Sequence, residues 1–224
     1  MDRVGDAFVW PFRDPQWLEK VAIIGLIGLI PIVGGINAAG WMMASIDRLR
    51  AGEERLPPAS FGYLGRGFQL FVVFLVYYLG LLVAAAVFFA PALLLLSSQG
   101  NARGNGFLVL LGLALLLMAF AITLIGSLAV YLLMPAIVLA TMDGGIGGGL
   151  AIGVILRRIR QSPINALLAG LMLIAAGFIG GLGIYAFYVG LIFTFPYSLA
   201  MEAWIIRSYE EALNVGRSSA AAER

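Results

Sequence analysis

Residues 21–46 read VAIIGLIGLIPIVGGINAAGWMMASI, and how this stretch meets a membrane decides the topology of the whole chain. It is apolar enough to cross a bilayer, which takes about 20 consecutive apolar residues. Yet Pro31, followed by Gly34 and Gly35, interrupts it near its middle. Proline removes a backbone donor and clashes with the preceding turn, and clustered glycines weaken what remains of the helix. From these residues alone a single crossing, a hairpin and a re-entrant loop are all open.

Three more apolar blocks follow, 68–97, 107–141 and 164–203, the last interrupted by Gly177, Gly180, Gly181 and Gly183. Basic residues test how the blocks are threaded, because cytoplasmic loops collect Lys and Arg. If every block crosses once, seven basic residues fall on each side of the membrane. If the first and fourth blocks fold back, the N-terminus, the 47–67 loop, the 142–163 loop and the C-terminus share one side. That side then holds thirteen basic residues and only Arg103 lies opposite. The bias favours folding back, with both termini cytoplasmic in a prokaryotic plasma membrane. The arms of the first hairpin, about 16–22 Å of helix, fall short of the ~30 Å hydrocarbon core, so that pair is expected to be short or re-entrant. The fourth block divides more evenly, with arms near Pro163–Gly180 and Ile184–Arg207.

Composition agrees. Of 224 residues 62% are hydrophobic and 12% charged, and the mean hydropathy is +0.99, so lipid is the solvent for much of the surface. The net charge of +2 gives no nucleic-acid footprint. Cys and His are absent, which excludes disulfides, thiol chemistry and imidazole ligation, and removes the commonest general base. No signal peptide is apparent at the start, MDRVGDAFVWPFRDPQWLEK.

The predicted fold class is therefore all-α, a polytopic transmembrane helical bundle of about six membrane segments forming one domain, 1–224. Within it, 1–20 is an interfacial segment anchored by Phe8, Trp10, Phe12 and Trp17, and 21–46 is a broken hairpin. Spans at 68–97 and 107–141 precede an amphipathic interfacial helix at 146–160, a helical hairpin at 164–206, and a cytoplasmic tail, 208–224, that fades into disorder.

Three stretches carry a resemblance to known proteins. FVWPFRDPQWLEK (8–20), INAAGWMMASIDRLRAGEERLPP (36–58) and FGYLGRGF (61–68) resemble the prokaryotic membrane-protein family called domain of unknown function 4013. That family shows an aromatic-Pro-Phe-basic-Asp-Pro-x-Trp start and a Gly-Glu-Glu-x-x-Pro loop. The later stretch YLLMPAIVLATMDGGIGGGLAIGVILRRIRQSP (131–163) is similar to a wider set of polytopic domains, among them those attached to some glycerophosphodiester phosphodiesterases. It departs from them at Gly144–Gly149, where larger residues are usual. The resemblance implies an even-numbered, N-in topology and brings no catalytic residues.

Candidate sites are few. GGIGGGLAIG (144–153) lacks the Lys-Ser/Thr of a phosphate loop and the preceding strand of a dinucleotide fingerprint, so it reads as a flexible surface turn. Arg157, Arg158 and Arg160 read as a topology anchor or as contacts to anionic lipid headgroups. Asp47 and Glu202 stand close enough to helix ends to snorkel or pair at the interface. Pro31 and Asn37 form the remaining candidate, an ion or ligand site at the broken helix, against the plainer reading of an Asn that caps a turn.

The expected function is that of a non-catalytic accessory or scaffold subunit, with no cofactor. Its expected partners are membrane lipids and either another membrane protein or further copies of itself. The alternative is a small transporter or channel with its polar site at the first hairpin, which predicts loss of flux on Asn37→Leu.

Overall fold

The computed structural model describes residues 4–98 and 105–222, and in it the first apolar block is two helices, α1 (Trp17–Gly28) and α2 (Val33–Arg50). The break falls on Pro31. Ile32 follows with φ of 65° and ψ of −61°, and the Val33 amide donates to the Pro31 carbonyl at 2.7 Å. This is the rare, strained form of γ-turn, and a β-branched residue there is an outlier. The two helices pack on each other.

The remaining helices are α3 (Leu64–Ser97), α4 (Gly106–Leu150), α5 (Ile152–Gln161), α6 (Pro163–Gly181) and α7 (Leu191–Ala222), with no strand among the described residues. Three stretches are long and apolar enough to cross a membrane: α3, α4, and α6 with its 3-10 continuation to Ala186. At 12 residues α1 is about 18 Å long, too short to cross, and α2 and α7 fall outside this apolar class.

The chain divides into two compact units, Met1–Val73 with Leu132–Arg224, and Phe74–Tyr131. In the first, α7 is the hub. Leu199–Ile206 are all nearly or fully buried, which requires cover on every face of the helix, and α1, α2 and α6 supply it. Trp10, from the short 3-10 turn Trp10–Arg13, stacks on Trp204 at 5.8 Å and donates its indole N–H to the Ala200 carbonyl at 3.0 Å. Trp10 is thus a core residue and not a lipid anchor, because α7 offers it both a ring and an acceptor; Phe8 and Phe12 stay exposed. Helices α2 and α3 cross at Gly40 and Gly67. A Cβ on Gly67 would overlap the Ile36 carbonyl, and one on Gly40 the Tyr63 carbonyl. Small residues let membrane helices approach this closely.

The second unit is different in kind. Among its described residues only Ala85, Ala92, Gly112 and Ala119 are buried, while most of its leucines and phenylalanines are exposed. An apolar cleft of about 580 Å³ lies between its α3 and α4 stretches, lined by Leu82, Ala85, Phe89, Leu116 and Phe120 among others.

Four expectations change. The glycine stretch 144–149 is a kink and not a flexible turn: only Gly144 and Gly145 leave helical geometry, Gly145 at φ 59° and ψ −151°, and the helix resumes to Leu150. The amphipathic helix expected at 146–160 is α5, 152–161, separated from α4 by Ala151 and shorter than expected. In the fourth block α6 ends at Gly181, where the glycines cluster, but a 3-10 turn carries the chain to Ala186 and α7 restarts only at Leu191, later than Ile184; Gly180 and Gly183 also make close contact with Ser198 and Gly190 across the hairpin. The tail continues as α7 to Ala222, held at its base by buried Tyr209 and Leu213.

Candidate functional site

Most of the charged side chains of the first unit pair with one another, in clusters that tie its loops together. Asp14 is almost fully buried. Its carboxylate accepts the Lys20 ammonium at 2.6 Å and the amides of Gln16 and Leu56 at 2.9 and 3.0 Å. Burial alone would raise the Asp14 carboxyl, but the Lys20 and backbone donors outweigh it and hold the group below its ordinary range. Arg13 pairs with Glu54 and with Asp6 at 3.3 Å, its guanidinium 5.6 Å from the Trp204 ring centre.

Arg50, in the last turn of α2 where cations oppose the helix dipole favourably, centres a further cluster. Two of its nitrogens reach Glu210 at 2.5 and 3.0 Å, and one of these also reaches Asp143 at 3.4 Å. Burial disfavours its charge, and Glu210, Asp143 and Asp47 reverse the effect, leaving the guanidinium above its ordinary range. Asp143 takes Arg158 at 2.7 Å; Glu210 and Glu211 take Arg207 at 2.7 and 3.1 Å; Asp47 pairs with Arg66. Bonds therefore run from 6–20 to 54–56, from 50 to 143 and 210, and from 143 to 158.

A recess of about 200 Å³ opens beside these clusters, lined by Glu54, Trp204, Arg207, Ser208 and Glu211 among others. The Arg207 Nε is buried with no acceptor among the described residues, as is the Tyr209 hydroxyl. Glu54 and Glu211 share its wall with one arginine, Arg207.

The residues singled out from sequence are not brought together. Pro31 is exposed in its turn. Asn37 is fully buried and consumed: its amide donates to the Ser60 carbonyl at 2.9 Å, and its oxygen accepts the Tyr63 amide at 3.3 Å. It ties the 57–63 loop to α2. Arg158 is bound to Asp143 with its side chain 14% exposed, whereas Arg157 and Arg160 are exposed and make no ion pair among the described residues.

Glu202 neither snorkels nor pairs. It is 5% exposed in the middle of the hub helix, with no hydrogen bond or ion pair among the described residues. Its distance along the chain from Arg207 hid this, because only the fold reveals that α7 is covered on all sides at that level.

A family profile described as protein of unknown function (DUF4013) matches residues 23–202, and the chain belongs to that family. No curated protein and no solved structure matches it. These comparisons show no link to the domains attached to glycerophosphodiester phosphodiesterases.

Proposed function

We propose that this member of the family is a non-catalytic scaffold subunit of the prokaryotic plasma membrane, whose 74–131 hairpin receives an apolar helix of a partner membrane protein. The observation that carries the reading is the contrast in burial. The first unit pairs most of its basic side chains with its own acids and fully buries Trp10, Trp41 and Tyr209, while among its described residues the hairpin buries only Ala85, Ala92, Gly112 and Ala119 and leaves an apolar cleft open. Helix α3, with 34 residues, is about 50 Å long against a hydrocarbon core of about 30 Å, so lipid alone matches its apolar length poorly. Small residues lining the cleft permit close approach of another helix.

The proposed topology has six membrane segments, α1 and α2 forming the short pair, with N- and C-termini in the cytoplasm. It is supported by the ion pairs linking 6–20, 47–66, 143–158 and 207–211, because charged side chains do not pair through a hydrocarbon core. Exposed Tyr185, Phe187 and Tyr188 at the α6–α7 turn suit the opposite interface, where aromatics collect.

The test is purification from native membranes. Wild type carries a membrane-protein partner, and Phe89→Ala with Phe120→Ala loses it while the chain stays folded. Recovery of wild type as an isolated monomer with no companion contradicts the proposal. One observation favours a second reading, a small transporter: Glu202 is a buried acid without a partner, the kind of group an ion pathway uses. Liposome flux of protons or sodium that is abolished by Glu202→Gln would replace the scaffold reading with it.

A further inference from the structure

Helix α5 joins the ends of α4 and α6, two helices of membrane-spanning length and composition, and is held against α4 by Arg158 on Asp143. A ten-residue helix in that position lies along the membrane surface, and its sequence, IGVILRRIRQ, is built for it. At about 100° per residue, Ile155, Ile159, Ile152 and Leu156 form one apolar arc. Ile155 turns inward and is buried, while Ile152 and Leu156 stand 61% and 42% exposed, facing what must be lipid.

The three arginines divide around this arc. Arg158 lies on the flank that meets the protein. Arg157 and Arg160 lie on the other flank, about 60° apart and three residues apart, a spacing that sets their Cβ atoms about 5–6 Å from each other. Gly153 lies between them around the helix, one turn below Arg157, and has open space where a Cβ would stand. Seven of the ten basic side chains described have an acidic partner within 4.0 Å. The exceptions are Arg55, Arg157 and Arg160, and two of those three share this one flank.

We propose that Arg157 and Arg160 bind the headgroup phosphate of an anionic phospholipid, with Ile152 and Leu156 set into its acyl layer. Two guanidinium forks on one face match phosphate oxygens, the missing side chain at Gly153 leaves room for the headgroup, and the apolar arc fixes the depth at which the phosphate sits. A basic residue at a leaflet surface is worth about 1 kcal/mol toward anionic lipid, so the pair gives about a thirtyfold preference over a zwitterionic headgroup. The inference rests on the membrane placement of α4 and α6 and not on the scaffold role.

The experiment measures lipid retention by the full chain, purified in detergent and exposed to phosphatidylglycerol or phosphatidylcholine, by native mass spectrometry. Wild type retains phosphatidylglycerol about thirtyfold better, Arg157→Gln/Arg160→Gln loses the preference, and Arg55→Gln, removing an unpartnered arginine elsewhere, keeps it. Inorganic phosphate does not displace the lipid. Equal loss in Arg55→Gln reduces the effect to net charge and overturns the proposal. Displacement by inorganic phosphate overturns it in favour of a free-anion site, and an unchanged preference in the double variant overturns it outright. Binding of both lipids without preference removes this proposal and leaves the membrane reading standing.

Discussion

The two units of this chain solve the burial of a hydrophobic sequence in opposite ways. The 74–131 hairpin contains a single charged residue, Arg103, and buries nothing larger than alanine among its described residues. The other unit holds every other charged residue and fully buries Trp10, Trp41 and Tyr209. In lipid, apolar contact with a neighbouring helix gains little over contact with acyl chains, so packing shape and polar bonds decide which helices associate. The first unit has both. The hairpin has neither in quantity, and its surface is available to whatever is apolar and fits.

The largest expected effect breaks this contrast at a helix crossing. Gly67→Leu drives a side chain into the Ile36 carbonyl and should leave no folded protein by size-exclusion chromatography. Gly80→Leu, placed in open space on the hairpin, should leave the elution profile unchanged. Trp10→Ala comes next, with an expected loss of about 3–5 kcal/mol in detergent unfolding for the cavity beside Trp204 and the lost bond to Ala200. Phe120→Ala on the hairpin should stay within about 0.5 kcal/mol in the same measurement, since it is exposed.

Asn37→Leu sharpens the comparison inside the first unit. It frees the Ser60 carbonyl and the Tyr63 amide, for an expected cost of about 1–3 kcal/mol and a 57–63 loop that exchanges its amide hydrogens faster. The smallest effect is a titration. The folded Asp14 carboxyl lies below its ordinary 3.8, so its contribution is complete above about pH 4 and is lost as the pH falls through the depressed value. Asp14→Asn should flatten the stability profile in that acid range alone, read as the apparent melting temperature against pH.

Much of this was legible in the residues. Pro31 announced the break in the first block, because a missing amide and a ring clash are local facts. The positions of Arg and Lys grouped 1–20, 47–67, 142–163 and the C-terminus before any ion pair among them was visible. The glycines were half legible: α6 ends at Gly181 within their cluster, but Gly180 and Gly183 also let two helices touch, and nothing in their spacing announces that second use. Trp10 misled: its aromatic neighbourhood suits an interface equally well, and only the acceptor on α7 draws it inward. At the candidate sites, the chemistry of Asn37 and of the three arginines was readable but their allegiance was not. Whether Asn37 is consumed by a loop, or Arg158 by Asp143, depends on segments far apart in the chain.

The fold-back of the first block carries the account, and the absence of cysteine makes it directly measurable. Single cysteines at Gly5, Glu53, Gly147, Glu211, Gly106 and Tyr188 can be labelled with a membrane-impermeant maleimide in intact cells and in inverted vesicles. With both ends of the first block on one side, Gly5→Cys, Glu53→Cys, Gly147→Cys and Glu211→Cys label only in inverted vesicles, and Gly106→Cys and Tyr188→Cys only in intact cells. Labelling of Glu53→Cys from the face opposite Gly5→Cys would mean that residues 21–46 cross once and that the first block does not fold back.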